Sequence, residues 1–238
     1  MIKITKRLIV KIFILGIGIS FIFYPLESEN LIKSVSKGVA RIVKRVILGD
    51  NFYTVDLHML YRSRQLSVER LNKYIEQYNI KTIINLRRKK EDEESKQEQK
   101  VAEKNNVLLF NVPMDARIIT PLSKLKQLLA IFLTAPTPMF VHCYAGSDRT
   151  GEACAFYKLI QGGTTKEALT QLSLWYGHSE YVFPKKRELI KNLDTIYPNI
   201  ISNMKVLCPI NRFTVQELQG IDAEELVTKL EAKQVTHL

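Results

Sequence analysis

Cysteine is scarce in this chain, and with it the patterns that mark disulfide-rich and zinc-binding proteins. The 238 residues include three cysteines, Cys143, Cys154 and Cys208, which provide neither a disulfide framework nor a zinc spacing. Internal repeats and low-complexity linkers are also absent, which excludes repeat architectures. With 46% hydrophobic and 25% charged residues, the composition is that of an ordinary globular protein. The length suits one α/β domain with a good core plus appendages.

Acidic residues are too few to balance the basic ones. There are 24 aspartates and glutamates against 35 lysines and arginines, so the formal net charge at pH 7 is +11. Such a charge favours anionic partners, of which phosphate esters, anionic lipid headgroups and nucleic acid are the main classes. Nucleic acid is the weakest of the three, because the sequence lacks a recognition-helix signature and a glycine-aromatic RNA motif. We therefore expect no nucleic acid among the partners.

One ten-residue stretch carries most of the chemical information: His142-Cys143-Tyr144-Ala145-Gly146-Ser147-Asp148-Arg149-Thr150-Gly151. An apolar run precedes it and apolar residues at helical spacing follow it, so the order is strand, loop, helix. A short loop in this position can aim its N–H groups at one centre and bind an anion at the helix N-terminus. Cys143 would lie beneath the anion, and the planar Arg149 guanidinium would hold two of its oxygens. The predicted phosphate-binding residues are Tyr144, Ala145, Gly146, Ser147, Asp148 and Arg149.

The same stretch has the features of a nucleophilic cysteine. A thiol is only weakly ionised near neutral pH, and the helix dipole, the loop amides and Arg149 would all lower its pKa. His142 can hydrogen-bond locally and steady the loop, and the Thr150 hydroxyl can reach the thiolate as it leaves a phosphocysteine intermediate. A lone buried cysteine is usually an inert small hydrophobe. Here its neighbours on both sides favour the catalytic interpretation instead.

These residues resemble the signature of the cysteine-dependent protein tyrosine and dual-specificity phosphatases, H-C-x5-R-[S/T], at every fixed position. A wider similarity to the compact bacterial dual-specificity-like branch lies in residues 60–67, 80–87 and 112–115. The resemblance covers roughly residues 51–198. It implies an α/β fold with a parallel central sheet of about four to five strands flanked by helices.

The resemblance also implies a reaction and a substrate class. The expected activity is hydrolysis of phosphomonoesters in proteins, on phosphotyrosine, phosphoserine or phosphothreonine, through a phosphocysteine intermediate. The expected partner is a phosphorylated protein or a phospholipid, and we expect no metal and no cofactor. Phosphoinositides or inositol phosphates are an alternative substrate. The loop carries Ser147 where lipid-directed members often carry lysine, which weakens that alternative, whereas basic residues near the N-terminus strengthen it.

The leaving group needs a proton donor, and Asp115 is the leading candidate for this general acid. It follows the strand-like run 107–112 and lies in a loop after Pro113, which is where the family commonly places its acid. Many members of the bacterial branch carry a different residue at this position. Asp148, inside the phosphate loop, is therefore the competitor.

Two functions of other classes fit parts of the same motif. A non-catalytic phosphate-binding module would use the same loop without turnover, although the intact Cys143, Arg149 and Thr150 argue against it. A rhodanese-type sulfurtransferase also places a cysteine in a compact anion-binding loop. His142 and the Arg149-Thr150-Gly151 sequence suit phosphate better.

The N-terminus reads as a membrane anchor or a signal segment, residues 1–30. Four basic residues and no acid occur in residues 1–11, and residues 12–24 are apolar, glycine, serine or tyrosine. Without a clear small-residue cleavage site we expect an uncleaved single-pass anchor, on an undetermined side of the membrane. A basic juxtamembrane segment, residues 31–50, follows and suits an anionic membrane surface.

The candidate site residues follow predicted strands, which places them at one edge of the sheet. Arg87, Asp115 and Cys143 each follow a strand-like run, so they are expected to share the carboxyl edge of the sheet, with Arg87, Arg88 and Arg117 as a basic rim. Residues 91–104 are expected to form an exposed helix or a flexible loop. A helix is predicted over 165–176 with Trp175 in the core. The phosphatase domain then spans residues 51–198, and residues 199–238 form a helical tail of unknown role.

Overall fold

A computed structural model describes residues 49–88, 92–207 and 212–235, and its centre is a five-stranded sheet. The strands are β1 (Tyr53–Asp56), β2 (Leu60–Arg64), β3 (Thr82–Asn85), β4 (Leu108–Asn111) and β5 (Met139–Cys143), in the spatial order β1-β2-β5-β3-β4. The last four in that order run parallel, which confirms the predicted α/β architecture. The edge strand β1 is antiparallel to β2. Only a short turn joins these two strands, and a parallel pair would need a long crossover connection.

Helices cover both faces of the sheet in the described part of the chain. They are α1 (Val68–Tyr78), α2 (Glu93–Lys104), α3 (Leu122–Thr134), α4 (Asp148–Ile160), α5 (Thr165–Thr170), α6 (Pro184–Lys191), α7 (Leu193–Ile196), α8 (Ile200–Leu207) and α9 (Ala223–Val235). Two short 3₁₀ helices occupy Leu174–Tyr176 and Gln216–Leu218. One apolar core lies between the sheet and the α3–α4 layer, and a smaller one lies under α1 and α2.

Helix α1 begins where the sequence predicts. The Ser67 side chain accepts a hydrogen bond from the backbone N–H of Arg70, and the helix ends at Asn79 in a left-handed conformation. Leu71 and Ile75 are buried on the face that packs on the sheet. A serine cap followed by apolar residues at helical spacing is therefore sufficient to define this element.

The prediction for residues 165–176 is wrong in its second half. Helix α5 ends at Thr170, and Leu174–Tyr176 form a separate 3₁₀ turn that stops at Gly177, whose φ is +78°. Leu172 is buried as expected, but Trp175 is 70% exposed. A break of a few residues rotates every later side chain to another face, so Trp175 lies on the surface and not in the core.

Residues 93–104 form a helix, which was one of the two structures expected for this segment. The helix is not fully exposed, however. Asp92 caps α2 by accepting a hydrogen bond from the N–H of Ser95. Glu98, Val101 and Ala102 are buried. The helix therefore brings a carboxylate into the interior of the domain.

The described part of the C-terminal tail packs on the domain. Leu218, Leu226 and Leu230 are fully buried in the main core, and α9 lies against α3. Lys126 of α3 pairs with Glu231 of α9 at 2.7 Å. These residues thus contribute to the stability of the domain.

The predicted membrane segment lies outside the described residues. This applies to all of residues 1–30 and to residues 31–48 of the basic juxtamembrane segment. Within residues 49–88, 92–207 and 212–235, none of the helices is long and apolar enough to span a bilayer.

Candidate active site

The loops that follow β3, β4 and β5 meet at the carboxyl edge of the sheet. The register pairs Cys143 with Arg64 of β2 and His142 with Asn85 of β3, so these strands end side by side. Asp115 lies four residues beyond the end of β4. The expected convergence of the loops at this edge is therefore present.

The phosphate loop, residues 143–149, turns from β5 directly into α4. Gly146 has a φ of +70°, and a Cβ atom at this position would lie 2.5 Å from the carbonyl carbon and oxygen of Ser63. Real Cβ atoms do not approach backbone atoms so closely. Glycine alone therefore allows the loop to lie against β2.

Three consecutive carbonyls of this loop are held from outside. The backbone N–H of Gln65 donates to Tyr144 O at 3.3 Å. Asn51 Nδ2 donates to Ala145 O at 3.0 Å, and Arg62 donates to Gly146 O at 2.9 Å. In a trans peptide the N–H of the next residue points the opposite way. The N–H groups of Ala145, Gly146 and Ser147 therefore point away from these partners, toward the inside of the loop, as anion binding requires.

Arg62 is a supporting residue that the sequence does not reveal. Its side chain is fully buried, its guanidinium lies 3.9 Å from the centre of the Tyr176 ring, and it also donates to the backbone and side-chain oxygens of Gln171. Arginine is rarely buried without such partners. The residue ties β2, the phosphate loop and the segment after α5 together.

The Cys143 thiol is buried, and its pKa is nevertheless lowered. Burial alone would raise the pKa, but the positive charge of Arg149 and the hydroxyl and backbone N–H of Thr150 outweigh it. The nearby Asp148 carboxylate acts in the opposite direction. Thr150 Oγ1 is buried and is not engaged by any other hydrogen-bond partner, so its hydroxyl is available to the sulfur. The predicted cysteine environment is thus present in the structure.

Arg149 is anchored to the sheet and remains partly accessible. Its guanidinium donates to Leu86 O, at the end of β3, at 3.1 Å. Part of the fork is left to hold an anion above Cys143.

His142 is braced by the buried carboxylate of α2. Its Nε2 lies 2.8 Å from Glu98 Oε1, and Asn85 and Gln65 donate to the two Glu98 oxygens at 2.6 and 3.3 Å. Burial would raise the pKa of Glu98, but His142 and the two amides hold it below its ordinary value. The steadying role predicted for His142 therefore depends on Glu98, which lies in a polar stretch with no signal of its own in the sequence.

The two candidate acids have different surroundings. Asp148 is mostly buried and accepts a hydrogen bond from His178 Nδ1 at 2.8 Å. Asp115 is partly exposed, accepts from Arg88 at 2.9 Å and accepts from the backbone N–H of Arg117 at 3.0 Å. The hydrogen bond from the Arg117 N–H, followed by the charges of Arg88 and Arg117, holds the pKa of Asp115 below its ordinary value.

The predicted basic rim is only partly present. Arg88 and Arg117 are 61% and 76% exposed. Arg87 is instead buried and pairs with Asp92 and with Glu94, the latter at 2.9 Å. Among the described residues, no group of three or more histidine, cysteine or acidic side chains is placed to hold a metal ion.

A buried ion pair lies behind the loop that carries Asp115. Lys186 of α6 donates to Glu152 of α4 at 2.9 Å and to the Thr120 hydroxyl at 2.8 Å, and Thr120 donates to Glu152 at 2.7 Å. Lys186 and Glu152 are inaccessible to solvent. The cluster joins the Asp115 loop to the helix that begins in the phosphate loop.

Comparison with known proteins agrees with this geometry. The family model described as "Tyrosine phosphatase family" matches residues 49–171, just over half of the chain. The core catalytic domain of the PP-IP phosphatase SIW14 from S. cerevisiae, solved with citrate, is 20% identical with a TM-score of 0.54, over 69% of this chain and 97% of that chain. The P. aeruginosa protein TpbA in complex with pTyr is 20% identical with a TM-score of 0.51, over 66% and 89%. At these identities the similarity shows a shared fold.

A comparison with curated protein sequences finds no match. The family match includes the whole phosphate loop and the strands that carry it, and it confirms the resemblance seen in the motifs. This chain belongs to the tyrosine phosphatase family and is a phosphatase acting on phosphoesters.

Proposed function

We propose that the protein dephosphorylates phosphorylated proteins, on phosphotyrosine, phosphoserine or phosphothreonine, through a phosphocysteine intermediate on Cys143. The observation that carries the proposal is the lowered pKa of a buried thiol beneath inward-pointing amides and beside Arg149. The thiolate attacks phosphorus, the bond from phosphorus to the leaving oxygen breaks, and that oxygen takes a proton from Asp115. Water then attacks the phosphocysteine, Asp115 accepts a water proton, and the thiolate leaves toward the Thr150 hydroxyl.

Asp115 suits the acid role better than Asp148. Asp115 is partly exposed in a loop at the sheet edge where β5 ends at Cys143, whereas Asp148 is engaged with His178. The hydrogen bond from the Arg117 N–H, together with the charges of Arg88 and Arg117, lowers the pKa of Asp115 and so favours its ionised form in the free enzyme. A bound phosphate competes for Arg88, so substrate binding favours the protonated acid.

Replacing Arg88 with methionine tests this assignment. Removal of the cation raises the pKa of Asp115, so the acid stays protonated to higher pH and the descending limb of the kcat/KM profile moves to higher pH. The profile is measured with an aryl phosphate from about pH 3 to pH 9, because the pKa of Asp115 lies below its ordinary value in the free enzyme, and the substrate's own ionisation affects all variants equally. Lys73→Met removes an exposed charge on α1 and is the matched control. An unmoved limb in R88M rejects Asp115 as the group that titrates there.

The covalent intermediate is the direct test of the proposed reaction. Rapid acid quenching of the enzyme with an aryl phosphate is expected to trap phosphate on the peptide that contains Cys143, and the first turnover is expected to appear as a burst. Phosphate binding without turnover would identify a non-catalytic module. Persulfide formation from thiosulfate without phosphatase activity would identify a sulfurtransferase.

Phosphoinositides or inositol phosphates are the second candidate substrates. The exposed side chains of Arg88 and Arg117 beside Asp115 favour this class, because substrates with several phosphates gain from additional cations. A panel of phosphopeptides, short-chain phosphoinositides and inositol phosphates, compared by kcat/KM, distinguishes the two classes.

Membrane attachment through residues 1–30 is a further proposal, based on the basic and apolar pattern of that segment. Expression of the full chain and of a chain that lacks residues 1–30, followed by membrane fractionation, tests it. Equal distribution of the two chains would reject the anchor.

A further inference from the structure

Four large apolar side chains are exposed on the loop between α5 and α6. Leu174 is 80% exposed, Trp175 70% and Val182 63%, and Tyr181 is fully exposed. We refer to these four residues as the apolar rim. They make up half of the large apolar side chains exposed in the described part of the chain. Concentration of such side chains on one connecting segment is typical of an interaction surface.

The inner side of this loop is fixed to the phosphate loop. Asn51 Nδ2 donates both to Ala145 O and to Tyr176 O, at 3.0 and 3.1 Å, so a single amide group separates the two carbonyls. His178 donates to Asp148 at 2.8 Å. The Tyr176 ring lies under Arg62 and meets Tyr53 edge-on at 5.0 Å. The loop that carries the apolar rim is therefore fixed to the outer side of the phosphate loop.

The charges around the rim are paired locally, with three cations sharing two carboxylates. Glu180, between the two pairs of apolar residues, lies 2.9 Å from Arg187 and 2.8 Å from Lys191. Lys185 pairs with Glu188 at 2.8 Å. Each of these three cations has a carboxylate within 3 Å, and the pairs together leave one excess positive charge, so the surface attracts an anionic lipid headgroup or an inositol phosphate only weakly. It fits an uncharged apolar partner.

We propose that the apolar rim binds aliphatic and aromatic side chains that flank the phosphorylated residue of a protein substrate. The proposal rests on the proposed function, because the phosphate must occupy the loop at Cys143. An extended peptide advances about 3.3 Å per residue, so side chains a few positions from the phosphorylated residue reach the rim. Trp175 and Tyr181 supply large contact areas at low conformational cost.

Matched phosphopeptides test the rim on the full chain. Both contain one phosphotyrosine, and they differ only in flanking residues, which are leucine and phenylalanine in one and serine and glycine in the other. The wild type is expected to favour the apolar peptide by about tenfold in kcat/KM, mainly through KM. In the double variant Leu174→Ser/Trp175→Ser the ratio is expected to fall to about one. Tyr181→Ser is expected to give an intermediate ratio.

Leu57→Ser is the matched control. Leu57 is 66% exposed but lies in the β1–β2 turn, at the opposite end of β2 from Cys143, so the ratio is expected to stay at its wild-type value. Thermal unfolding of each variant verifies that the fold is intact. Equal kcat/KM for the two peptides in the wild type, or a preference that persists in the double variant, would overturn the proposal.

Separate measurements show whether the rim binds a partner other than a peptide and whether the proposed phosphatase function fails. If the double variant keeps the peptide preference but loses flotation with phosphatidylserine vesicles, the rim binds membrane; if it loses self-association in sedimentation, the rim binds a second copy. Either result replaces the peptide proposal. An aryl phosphate that is not hydrolysed by the wild type rejects the proposed function itself, whereas normal aryl phosphate hydrolysis with indifference to flanking residues rejects the rim alone.

Discussion

Substitution of Cys143 by serine is expected to lower kcat/KM for an aryl phosphate by on the order of 10⁴-fold or more. The environment of residue 143 stabilises a negative charge on sulfur, since Arg149 and Thr150 outweigh the burial of the thiol. A serine hydroxyl has a much higher intrinsic pKa and remains protonated in the same surroundings. Steady-state kinetics measures the loss, and binding of tungstate or inorganic phosphate by calorimetry shows whether the loop still binds an oxyanion.

Cys154 provides the matched control for this substitution. It is as buried as Cys143, but burial without comparable compensation raises its pKa to about 11. Cys154→Ser is therefore expected to keep full turnover. Iodoacetate alkylation mapped by mass spectrometry is expected to modify Cys143 faster than Cys154 at mildly acidic pH, because the thiolate is the reactive form. Residual turnover in Cys143→Ser above about 1% of wild type would contradict a phosphocysteine mechanism.

The catalytic loop and its place in the fold were predictable because they depend on local patterns. A buried run, a short loop with a glycine, and a helix with apolar spacing define where Cys143 and Arg149 lie. Parallel strands then bring the loop with Asp115 to the same edge. The cap at Ser67 and the helix that follows it rest on equally local signals.

The supporting residues were not predictable, because their burial depends on contacts between distant segments. Arg62 and Glu98 are charged residues that would normally be expected on the surface. Each is buried because partners far along the chain, Gln171 and His142 among them, satisfy its hydrogen-bonding groups. For Trp175 the prediction was wrong in the opposite direction, because a residue expected in the core is exposed. Its apolar character indicated core, but the loop that carries it turns its side chain outward.

Lys186 illustrates the same limit within a run of four residues, Pro184-Lys185-Lys186-Arg187. Three of these side chains carry positive charge, and the sequence gives no reason to distinguish them. The structure buries Lys186 against Glu152 and leaves Lys185 half exposed beside Glu188. The contribution of the buried Lys186–Glu152 pair to the free energy of unfolding can therefore be measured with the exposed Lys185–Glu188 pair as an internal control.

Replacing Lys186 with methionine is expected to reduce the free energy of unfolding by about 3–5 kcal/mol at neutral pH. The variant leaves the Glu152 carboxylate buried without a cation, and the Thr120 hydroxyl loses a donor. The double variant Glu152→Gln/Lys186→Met removes the charge altogether and is expected to recover part of the loss. Lys185→Met changes an exposed pair and is expected to cost less than about 1 kcal/mol. Urea denaturation of the full chain measures all four proteins.

The pH dependence of this loss identifies its cause. Burial already raises the pKa of Glu152 above its ordinary value, and loss of Lys186 raises it further. A carboxyl group whose pKa is raised in the folded state contributes most to the free energy of unfolding at low pH, where it is protonated. This contribution is lost as the pH rises through the folded-state pKa. The difference in the free energy of unfolding between Lys186→Met and the wild type is therefore expected to be smaller near pH 5 than near pH 8. A stability difference that does not change with pH would assign the loss to altered packing.

The Lys186 cluster is also expected to affect catalysis, because Thr120 belongs to the segment that follows Asp115. A charge-based loss of stability is expected to lower kcat most for substrates with poor leaving groups, which depend most on the acid.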